Sequence, residues 1–183
     1  MANISGFRST LKTGLVRPNT FRVDLTFPAY VTDGIQAAQL GQFHCKAASL
    51  PESTIPPVPV FYQGRAVNVA GEREFQPWSI AVYNENFQIR DAFERWMHGI
   101  NDLGDNTGIV SPLQYQTDLF VNQLDRAGDV LKTYRLVDAM PINISPIQLD
   151  FEANNQVEIF EVTFAYNYYE SSGINSTLGF GGL

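Results

Sequence analysis

The stretch VEIFEVTFAYNYY, residues 157–169, decides the fold class of this 183-residue chain. Every second residue from Phe160 to Tyr168 is apolar or aromatic, and most residues between them are polar or small. This period of two is typical of a β-strand with one buried face. A strand this long exposes rows of backbone hydrogen-bonding groups unless other strands pair with it. The stretch therefore predicts a long strand within a sheet.

Similar alternation recurs along most of the chain. The further predicted strands are residues 17–28, 42–50, 60–71, 74–84, 113–124 and 129–145. The sequence DRAG at 125–128 separates two of them and is typical of a hairpin turn. Residues 31–41, VTDGIQAAQLG, are expected to be a connection with at most one helical turn. The connections favour antiparallel pairing of six to eight strands.

One segment has helical periodicity instead. In FQIRDAFERWMHGI, from residue 87 to 100, apolar side chains recur at three- and four-residue intervals and form one stripe. The sequence therefore predicts a mainly β domain spanning residues 1–183. We expect an antiparallel β-sandwich or rolled β-barrel with one flanking α-helix at about 87–101.

The segment LPESTIPPVPV, residues 50–60, contains four prolines and leads into FYQGRAVNVAGEREF. Proline lacks a backbone N–H and has a fixed φ, so this segment fits neither a central strand nor a helix. We expect a long arm around residues 50–74, projecting from the domain and held extended by its prolines. The Gly- and Ser-rich segment 171–183 is expected to be a flexible tail.

Residues suited to catalysis or metal binding are few. The chain has one cysteine, Cys45, and two histidines, His44 and His98, and no nucleotide-binding, hydrolase or metal-binding motif. Neighbouring strand residues face opposite ways, so His44 and Cys45 do not form a dyad. We predict that the protein is not an enzyme and has no catalytic residue, cofactor or metal ion.

The charge and hydropathy of the chain limit its partners. A formal net charge of −7 disfavours binding to nucleic acid, whose affinity depends on lysine and arginine. Residues 1–16 contain no continuous apolar stretch, and no run of about 18 apolar residues occurs. We therefore expect neither a signal peptide nor a membrane anchor, and synthesis in a cytoplasm.

A series of short motifs between residues 7 and 101 resembles the tail tube proteins of contractile-tailed bacteriophages. The order and spacing carry the resemblance, beginning with FRS and RPN in the first 20 residues. The later motifs are Leu50-Pro51, Gly64-Arg65, Ala70-Gly71-Glu72-Arg73, Trp78, Tyr83-Asn84, Asn86-Phe87 and Trp96-Met97.

The resemblance implies a structural protein of the virion tail that is assembled in the host cytoplasm. Members of that family form hexameric rings whose inner strands join into one barrel, and the rings stack into a tube. The implied partners are other copies of the chain, the tail sheath, the tape-measure protein, the baseplate and the tail terminator. DNA passes through the lumen without specific binding.

Three surfaces are predicted to carry this assembly. The arm is expected to join successive rings through Leu50, Pro51, Ile55, Val58, Val60, Phe61, Arg65, Glu72 and Arg73. The polar side chains of segment 113–124 are expected to face the lumen, namely Gln114, Gln116, Asp118 and Asn122. The outer face of the helix is expected to face the sheath through Arg90, Asp91, Glu94 and Arg95.

Two alternatives remain open at this point. One is a related tube subunit, from a type VI-like secretion system or a phage-derived injection particle. The other is a monomeric β-sandwich binding module, whose signature would be exposed aromatic side chains. Trp78 and Trp96 both lie on faces patterned for the core, which disfavours the binding module.

Overall fold

The computed structural model describes residues 3–11 and 15–172. Its helices are α1 (Ile4–Thr10), α2 (Gly34–His44), α3 (Gln88–Ile100) and α4 (Pro112–Tyr115). The strands of the large sheet are β1 (Phe21–Asp24), β2 (Cys45–Ala48), β7 (Trp78–Tyr83), β8 (Thr117–Leu124), β9 (Val130–Ile144), β10 (Ile159–Ala165) and β11 (Tyr168–Ser171). Two small two-stranded sheets pair β3 (Ser53–Thr54) with β6 (Glu74–Phe75), and β4 (Pro57–Tyr62) with β5 (Arg65–Ala70).

The large sheet is antiparallel throughout and consists of two halves that share β9. The first part of β9 lies between β8 and β11, and β1 pairs with the far side of β8. The last part of β9 pairs with β10, which leads through β7 to β2. We call the first group, β1-β8-β9-β11, the polar half-sheet. The mainly β, antiparallel fold predicted from the sequence is confirmed.

The chain passes between the two halves at Asp138 in β9. Asp138 has a φ of 54°, and the register between β8 and β9 shifts at this point, which is the geometry of a bulge. Asn167, between β10 and β11, donates its side-chain amide to Asp138 Oδ2 at 3.0 Å and its backbone N–H to Val137. The bulge and the break between β10 and β11 are therefore fixed to each other.

This crossing corrects the prediction of one strand over residues 157–169. Residues 159–165 pair with β7 and the end of β9, whereas 168–171 pair with the first part of β9. The alternation in the sequence continues through the break, but the residues that face the core change from even-numbered ones in β10, such as Phe164, to odd-numbered ones in β11, Tyr169 and Ser171. Tyr168 consequently lies on the outer side of the polar half-sheet, and not on the face of Phe160 and Phe164.

Both half-sheets and α3 contribute to one apolar core. The polar half-sheet contributes Val23, Leu119, Val121 and Leu136, and the other half contributes Trp78, Ile80, Val82, Phe160, Val162 and Phe164. Each tryptophan indole donates its N–H to a backbone carbonyl, Trp78 to Ser49 at 2.7 Å and Trp96 to Tyr115 at 2.6 Å. Both indoles are buried and hydrogen-bonded, as the patterned core faces predict.

The predicted helix is present as α3, but α2 is a second helix that the sequence pattern did not indicate. Its buried residues are Gly34, Ala37 and Gly41. These three residues have helical spacing, but their side chains are too small to form a recognisable apolar stripe in the sequence. A Cβ atom on Gly41 would lie 2.6 Å from Leu25 Cδ1, so the small residues allow α2 to approach the chain just after β1. The strand predicted at 42–50 begins only at Cys45.

Several other predicted strands are shorter or divided. The strand expected at 17–28 is limited to β1, and the one expected at 74–84 is divided into β6 and β7. The segment 60–71, expected to be one strand, instead contains the end of β4, the turn at Gln63-Gly64 and the whole of β5. The segment 113–124 begins with the short helix α4, whose N1 position holds Pro112.

In the two described segments, no helix has the length and apolarity needed to cross a membrane. Of the segment 171–183, only residues 171 and 172 are described, so the predicted flexible tail lies almost wholly outside the described residues.

Candidate assembly surfaces

The face of the polar half-sheet that points away from the core carries most of its charge. Strand alternation places Val23, Leu119 and Leu136 on the core side, so their neighbours in each strand lie on the opposite side. We call this opposite side the polar face. Its residues include the polar and charged Arg22, Asp24, Asp118, Asn122, Thr133, Arg135 and Glu170, together with Phe120, Val137 and Tyr168.

Two hydrogen-bonded clusters organise the polar face. In the first, Arg135 donates to Asp118 Oδ2 through Nη2 at 2.6 Å and through Nε at 3.0 Å, and to Glu170 Oε2 through Nη1 at 3.3 Å. The carboxylate of Asp118 raises the pKa of Arg135. The cluster therefore holds one guanidinium between two carboxylates and joins β8, β9 and β11.

The second cluster lies across β1, β8 and β9. Asn122 donates its amide to Asp24 Oδ2 at 2.7 Å and accepts the hydroxyl of Thr133 at 2.7 Å. Arg22 Nε lies 3.1 Å from the other oxygen of Asp24. Asn122 is only 5% exposed because these neighbours surround it on the strand. Its side-chain amide is therefore packed and hydrogen-bonded within the polar face, and is not freely solvated.

The four predicted lumen residues are not on one strand. Asp118 and Asn122 lie on the polar face, but Gln114 lies in α4 and Gln116 in the link that follows it. Five polar residues of the face were missed, namely Arg22, Asp24, Thr133, Arg135 and Glu170. The sequence did contain a sign of two of them, because Arg22 and Asp24 alternate with the buried Val23 in β1.

The polar half-sheet ends in strands that are each paired on one side within the large sheet. β1 pairs with β8 and β11 pairs with β9. Since each of the three pairings is antiparallel, β1 and β11 run in opposite directions. An edge strand paired on one side presents backbone donors and acceptors to a further strand.

The predicted arm contains a hairpin, formed by β4 and β5, that projects from the rest of the chain. Tyr62 pairs with Arg65 across a two-residue turn, Gln63-Gly64, in which both residues have positive φ, 47° and 78°. This is the backbone of a tight hairpin turn, which favours glycine. All twelve residues of the two strands are exposed. We call β4 and β5 the apolar hairpin.

Both faces of the apolar hairpin consist mostly of apolar side chains. One face holds Val58, Val60, Tyr62, Arg65, Val67 and Val69, and the other holds Pro57, Pro59, Phe61, Ala66, Asn68 and Ala70. Phe61 is 73% exposed and Tyr62 is 69% exposed. A strand that is apolar on both faces is typical of one that is covered on both sides. Large exposed apolar patches of this kind mark interaction surfaces.

The prolines distinguish the two edges of the hairpin. Pro57 and Pro59 lie opposite Ala70 and Asn68. Tyr62 and Arg65 flank the turn, and every second residue back along β4 from Tyr62 directs its backbone groups to β5. The two prolines lie at the positions between these. In a hairpin closed by a two-residue turn, these positions direct their backbone nitrogens away from the partner strand. The outer edge of β4 therefore lacks donors at both positions. The prolines exclude this segment from a central strand, as predicted, but they allow the edge strand β4, because they occupy places where no ladder bond to β5 is lost.

The other predicted arm residues lie at the base of the hairpin. Gly71 donates its N–H to Pro56 at 2.9 Å and closes the base, and a Cβ atom there would lie 2.4 Å from that carbonyl oxygen. Arg73 donates to the Ser53 hydroxyl at 2.9 Å. Leu50, Ile55 and Glu72 are exposed near these contacts, and Pro51 is half-buried.

The outer face of α3 contains only part of the predicted charged surface. Glu94 and Arg95 are exposed. Arg90 instead stays close to the core, because its guanidinium lies over the Phe160 ring at 5.5 Å and donates to the Ser145 carbonyl as well as to Glu94. Asp91 is half-buried. Of the four predicted sheath-facing residues, Arg90 and Asp91 are therefore only partly exposed.

The titratable groups form no catalytic arrangement among the residues described. His44 Nε2 lies 3.0 Å from Glu85, and His98 Nε2 lies 3.1 Å from Asp102. Burial raises the pKa of the Cys45 thiol to about 11, which keeps it protonated. No group of three histidine, cysteine, aspartate or glutamate side chains in these segments is placed to hold a metal ion.

Sequence comparison gives consistent relatives over most of the chain. The family model described as phage tail tube protein matches residues 16–172. Tail tube protein gp19 of Enterobacteria phage T4 is 33% identical over 159 residues, which cover 84% of this chain and 90% of that protein. Tail tube protein gp19 of Enterobacteria phage T6 has the same identity and coverage.

A solved structure shares the fold. A chain from the sheath-tube complex of an extracellular contractile injection system, PVC, in its extended state superposes with a TM-score of 0.59. The match covers 94% of this chain and 99% of that chain at 13% identity. At this identity the likeness supports the fold alone.

Proposed function

The chain belongs to the phage tail tube protein family, and from that premise we propose that it forms hexameric rings that stack into the tube of a contractile tail. The observation that supports this most strongly is the polar half-sheet. It has a charged face on one side, the core on the other, and two terminal strands of opposite direction.

A ring closes this sheet without changing its strand pattern. When β11 of one copy lies beside β1 of the next, the junction is antiparallel like every other pairing in the half-sheet. Six copies of four strands then give one barrel of 24 strands, and closure leaves no free edge. Such a head-to-tail interface is heterologous and forms a ring if the rotation closes.

The barrel is wide enough to be a channel. Strands about 4.8 Å apart and tilted by roughly 40° give a 24-stranded barrel a diameter of about 45–50 Å between backbones. In this arrangement Asp118, Asn122, Arg135 and the rest of the polar face line the lumen. We assign Gln114 and Gln116 to the rim rather than to the wall, since they precede β8.

The charge of the wall suits passage of DNA without adhesion. The polar face contains three carboxylates and two guanidiniums, in Arg22, Asp24, Asp118, Arg135 and Glu170. Six chains of formal net charge −7 give a ring of −42. A negative surface repels phosphates, whereas specific or tight binding would need excess positive charge.

The apolar hairpin is assigned to contact between successive rings. Because both of its faces are apolar and exposed in one chain, it gains by burial against neighbouring copies. Val58, Val60, Phe61 and Arg65 make this contact, and Leu50, Pro51, Ile55, Glu72 and Arg73 surround its base. The segment 50–74 is thus the inter-ring arm of one tail-tube domain.

The remaining surfaces are assigned to the other parts of the tail. Glu94 and Arg95 on α3 face the sheath, with Asp91 beside them. The tube begins on the baseplate, ends at the terminator, and has its length set by the tape-measure protein. The protein is part of the virion tail and is assembled in the host cytoplasm. Its role is structural and includes no catalysis.

Negative-stain microscopy of the purified chain tests the proposal. We expect six-fold rings with an open centre at micromolar protein and stacked tubes at higher concentration. Sedimentation measured in parallel gives the mass of the smallest assembly. A chain that remains monomeric, or rings of another symmetry, would contradict the proposal.

A further inference from the structure

The two terminal strands of the polar half-sheet match each other residue by residue. β1 and β11 each contain four residues, and antiparallel pairing in full overlap places Phe21 opposite Ser171 and Val23 opposite Tyr169. The same register places Arg22 opposite Glu170. The core-side residues of one strand thus meet those of the other, and the polar face continues across the junction without a break.

Backbone hydrogen bonding agrees with this register. Leu124 donates to Thr20 at 3.0 Å, so Thr20 and every second residue after it direct their backbone groups toward β8. Phe21 and Val23 therefore direct theirs to the outer edge. Ser172 donates to Thr133 at 2.9 Å, so by the same alternation Tyr169 and Ser171 point outward from β11. Full overlap places these outward-pointing residues opposite each other.

Arg22 and Glu170 occupy the close pairs of such a ladder. Residues of an antiparallel pair that exchange no backbone hydrogen bond have Cα atoms about 4.5 Å apart, with side chains in contact. The Arg22 side chain is 45% exposed and has Asp24 as its acidic neighbour. The guanidinium of Arg135 contacts both Glu170 and Asp118. Its two hydrogen bonds to Asp118 are shorter than its one hydrogen bond to Glu170. A second guanidinium beside Glu170 adds an opposite-charge pair across the junction, which is favourable in a sheet.

Shifting the register by two residues in one direction brings Asp24 opposite Glu170. Like charges directly opposite each other in a sheet are destabilising. A shift of two in the other direction pairs Arg22 with Tyr168. Either shift also leaves two residues of each four-residue strand unpaired. A shift of one residue would turn the polar face of one copy toward the core side of the next.

We propose that Arg22 of one copy forms an ion pair with Glu170 of the next copy and so fixes the register in which the ring closes. This inference rests on the proposed function, because it requires β11 and β1 of neighbouring copies to meet. The partner is a second copy of the same chain, and each ring contains one such pair at every junction.

Within one chain these two side chains do not meet. Arg22 and Glu170 lie on strands separated by β8 and β9, which places them about 14 Å apart at a spacing of about 4.8 Å per strand. Direct energetic coupling between the two positions therefore arises between copies. This allows a test in which two defective variants restore each other.

The experiment uses purified full-length chains carrying Arg22→Glu or Glu170→Arg, alone and mixed 1:1, with ring formation followed by sedimentation and negative stain. Each variant alone places like charges at every junction. We expect the protein concentration at half-assembly to rise roughly tenfold for each. In the mixture, alternation of the two chains gives an opposite-charge pair at each of the six junctions, so assembly should return to within about threefold of wild type.

The control is Arg95→Glu, the same charge change on α3, which should leave ring formation at its wild-type concentration. Wild-type rings together with normal rings from either single variant would overturn the ion pair while leaving the proposed function intact. Absence of wild-type rings would instead count against the proposed function, and with it the junction on which the pair depends.

A second measurement decides the case if both variants and their mixture fail to assemble. In a Cys45→Ala background, Arg22→Cys and Glu170→Cys in one chain place two thiols at each proposed junction. Mild oxidation should then give a ladder of covalent oligomers, up to the hexamer, on a non-reducing gel. Monomer alone after oxidation would overturn the register.

Discussion

At the scale of single residues, the packing of α3 on the rest of the chain depends on Gly99. The Tyr30 ring lies where a Cβ atom of residue 99 would be, with its Cε2 at 2.2 Å from that position. The Tyr30 hydroxyl donates to the Trp96 carbonyl at 2.8 Å, and burial raises the pKa of Tyr30 to about 12. The glycine is therefore present near the helix end because an aromatic ring crosses the helix there.

Gly99→Ala should destabilise the protein by about 1–3 kcal/mol, the usual cost of overpacking a filled site. The measurement is the free energy of unfolding from urea titration. In a Tyr30→Ala background the same change should become neutral or stabilising, since alanine is favoured over glycine in a helix by roughly 1 kcal/mol. Equal effects in both backgrounds would show that the ring is not the cause.

Cys45 should be a poorly reactive thiol in the folded protein. Because burial raises its pKa from 9.0 to about 11, the thiolate fraction at pH 8 falls roughly a hundredfold. We expect labelling by a thiol reagent at pH 8 to be slower by about that factor than in the urea-unfolded chain, and to accelerate as the pH approaches 11. Labelling at the same rate in both states would contradict this.

At the scale of secondary-structure elements, the sequence predicted what alternation and helical periodicity reveal. α3 was predicted within one residue at each end because its apolar stripe is strong. α2 was missed because Gly34, Ala37 and Gly41 bury backbone rather than large side chains. Gln114 was assigned to a strand because its alternation continues into β8, although Pro112 begins a short helix there. α2 thus lacks a strong apolar pattern, and α4 has the pattern of a strand although its backbone is helical.

The apolar hairpin should be dispensable for folding and required for stacking. Replacing residues 57–70 by Asn-Gly keeps the Pro56–Gly71 hydrogen bond as the close of a two-residue turn. Because every removed residue is exposed, the melting temperature should stay near that of wild type. Microscopy should show rings without tubes. Tubes of normal length from this variant would contradict the inter-ring assignment.

A narrower pair of variants tests whether both hairpin faces are covered. Val60→Lys places a charge on the face that contains Val58, Val67 and Val69. Phe61→Lys places one on the face that contains Pro57 and Pro59. If each face packs on a neighbouring copy, either lysine should shorten tubes or prevent stacking, since burying an unpaired charge is costly. A variant that leaves stacking unchanged would identify a face that remains in solvent.

The charged face of α3 should affect the sheath and not the tube. The double variant Glu94→Lys/Arg95→Glu reverses both exposed charges while retaining the total charge. We expect tubes of normal appearance that no longer support sheath assembly when sheath protein is co-expressed. The tubes themselves are the control, and sheathed tubes from this variant would show that these two residues do not face the sheath.

At the scale of the whole molecule, the sequence identified the fold class and the family but not the polar face, which we propose lines the lumen. The polar face joins residues from four strands that are far apart along the chain, from Arg22 to Glu170. Which strands share a half-sheet depends on the crossing at Asp138 and Asn167. That crossing appears in the sequence only as continued alternation, so the pattern predicted one strand in place of two.

A cryo-electron microscopy reconstruction of assembled tubes would show whether the polar half-sheet lines the lumen. We expect six-fold rings with four strands per subunit around the lumen, β11 of each copy beside β1 of the next, and Asp118 and Arg135 facing the channel. A lumen lined by β2, β7 and β10 instead, or the polar face on the outside of the tube, would contradict it.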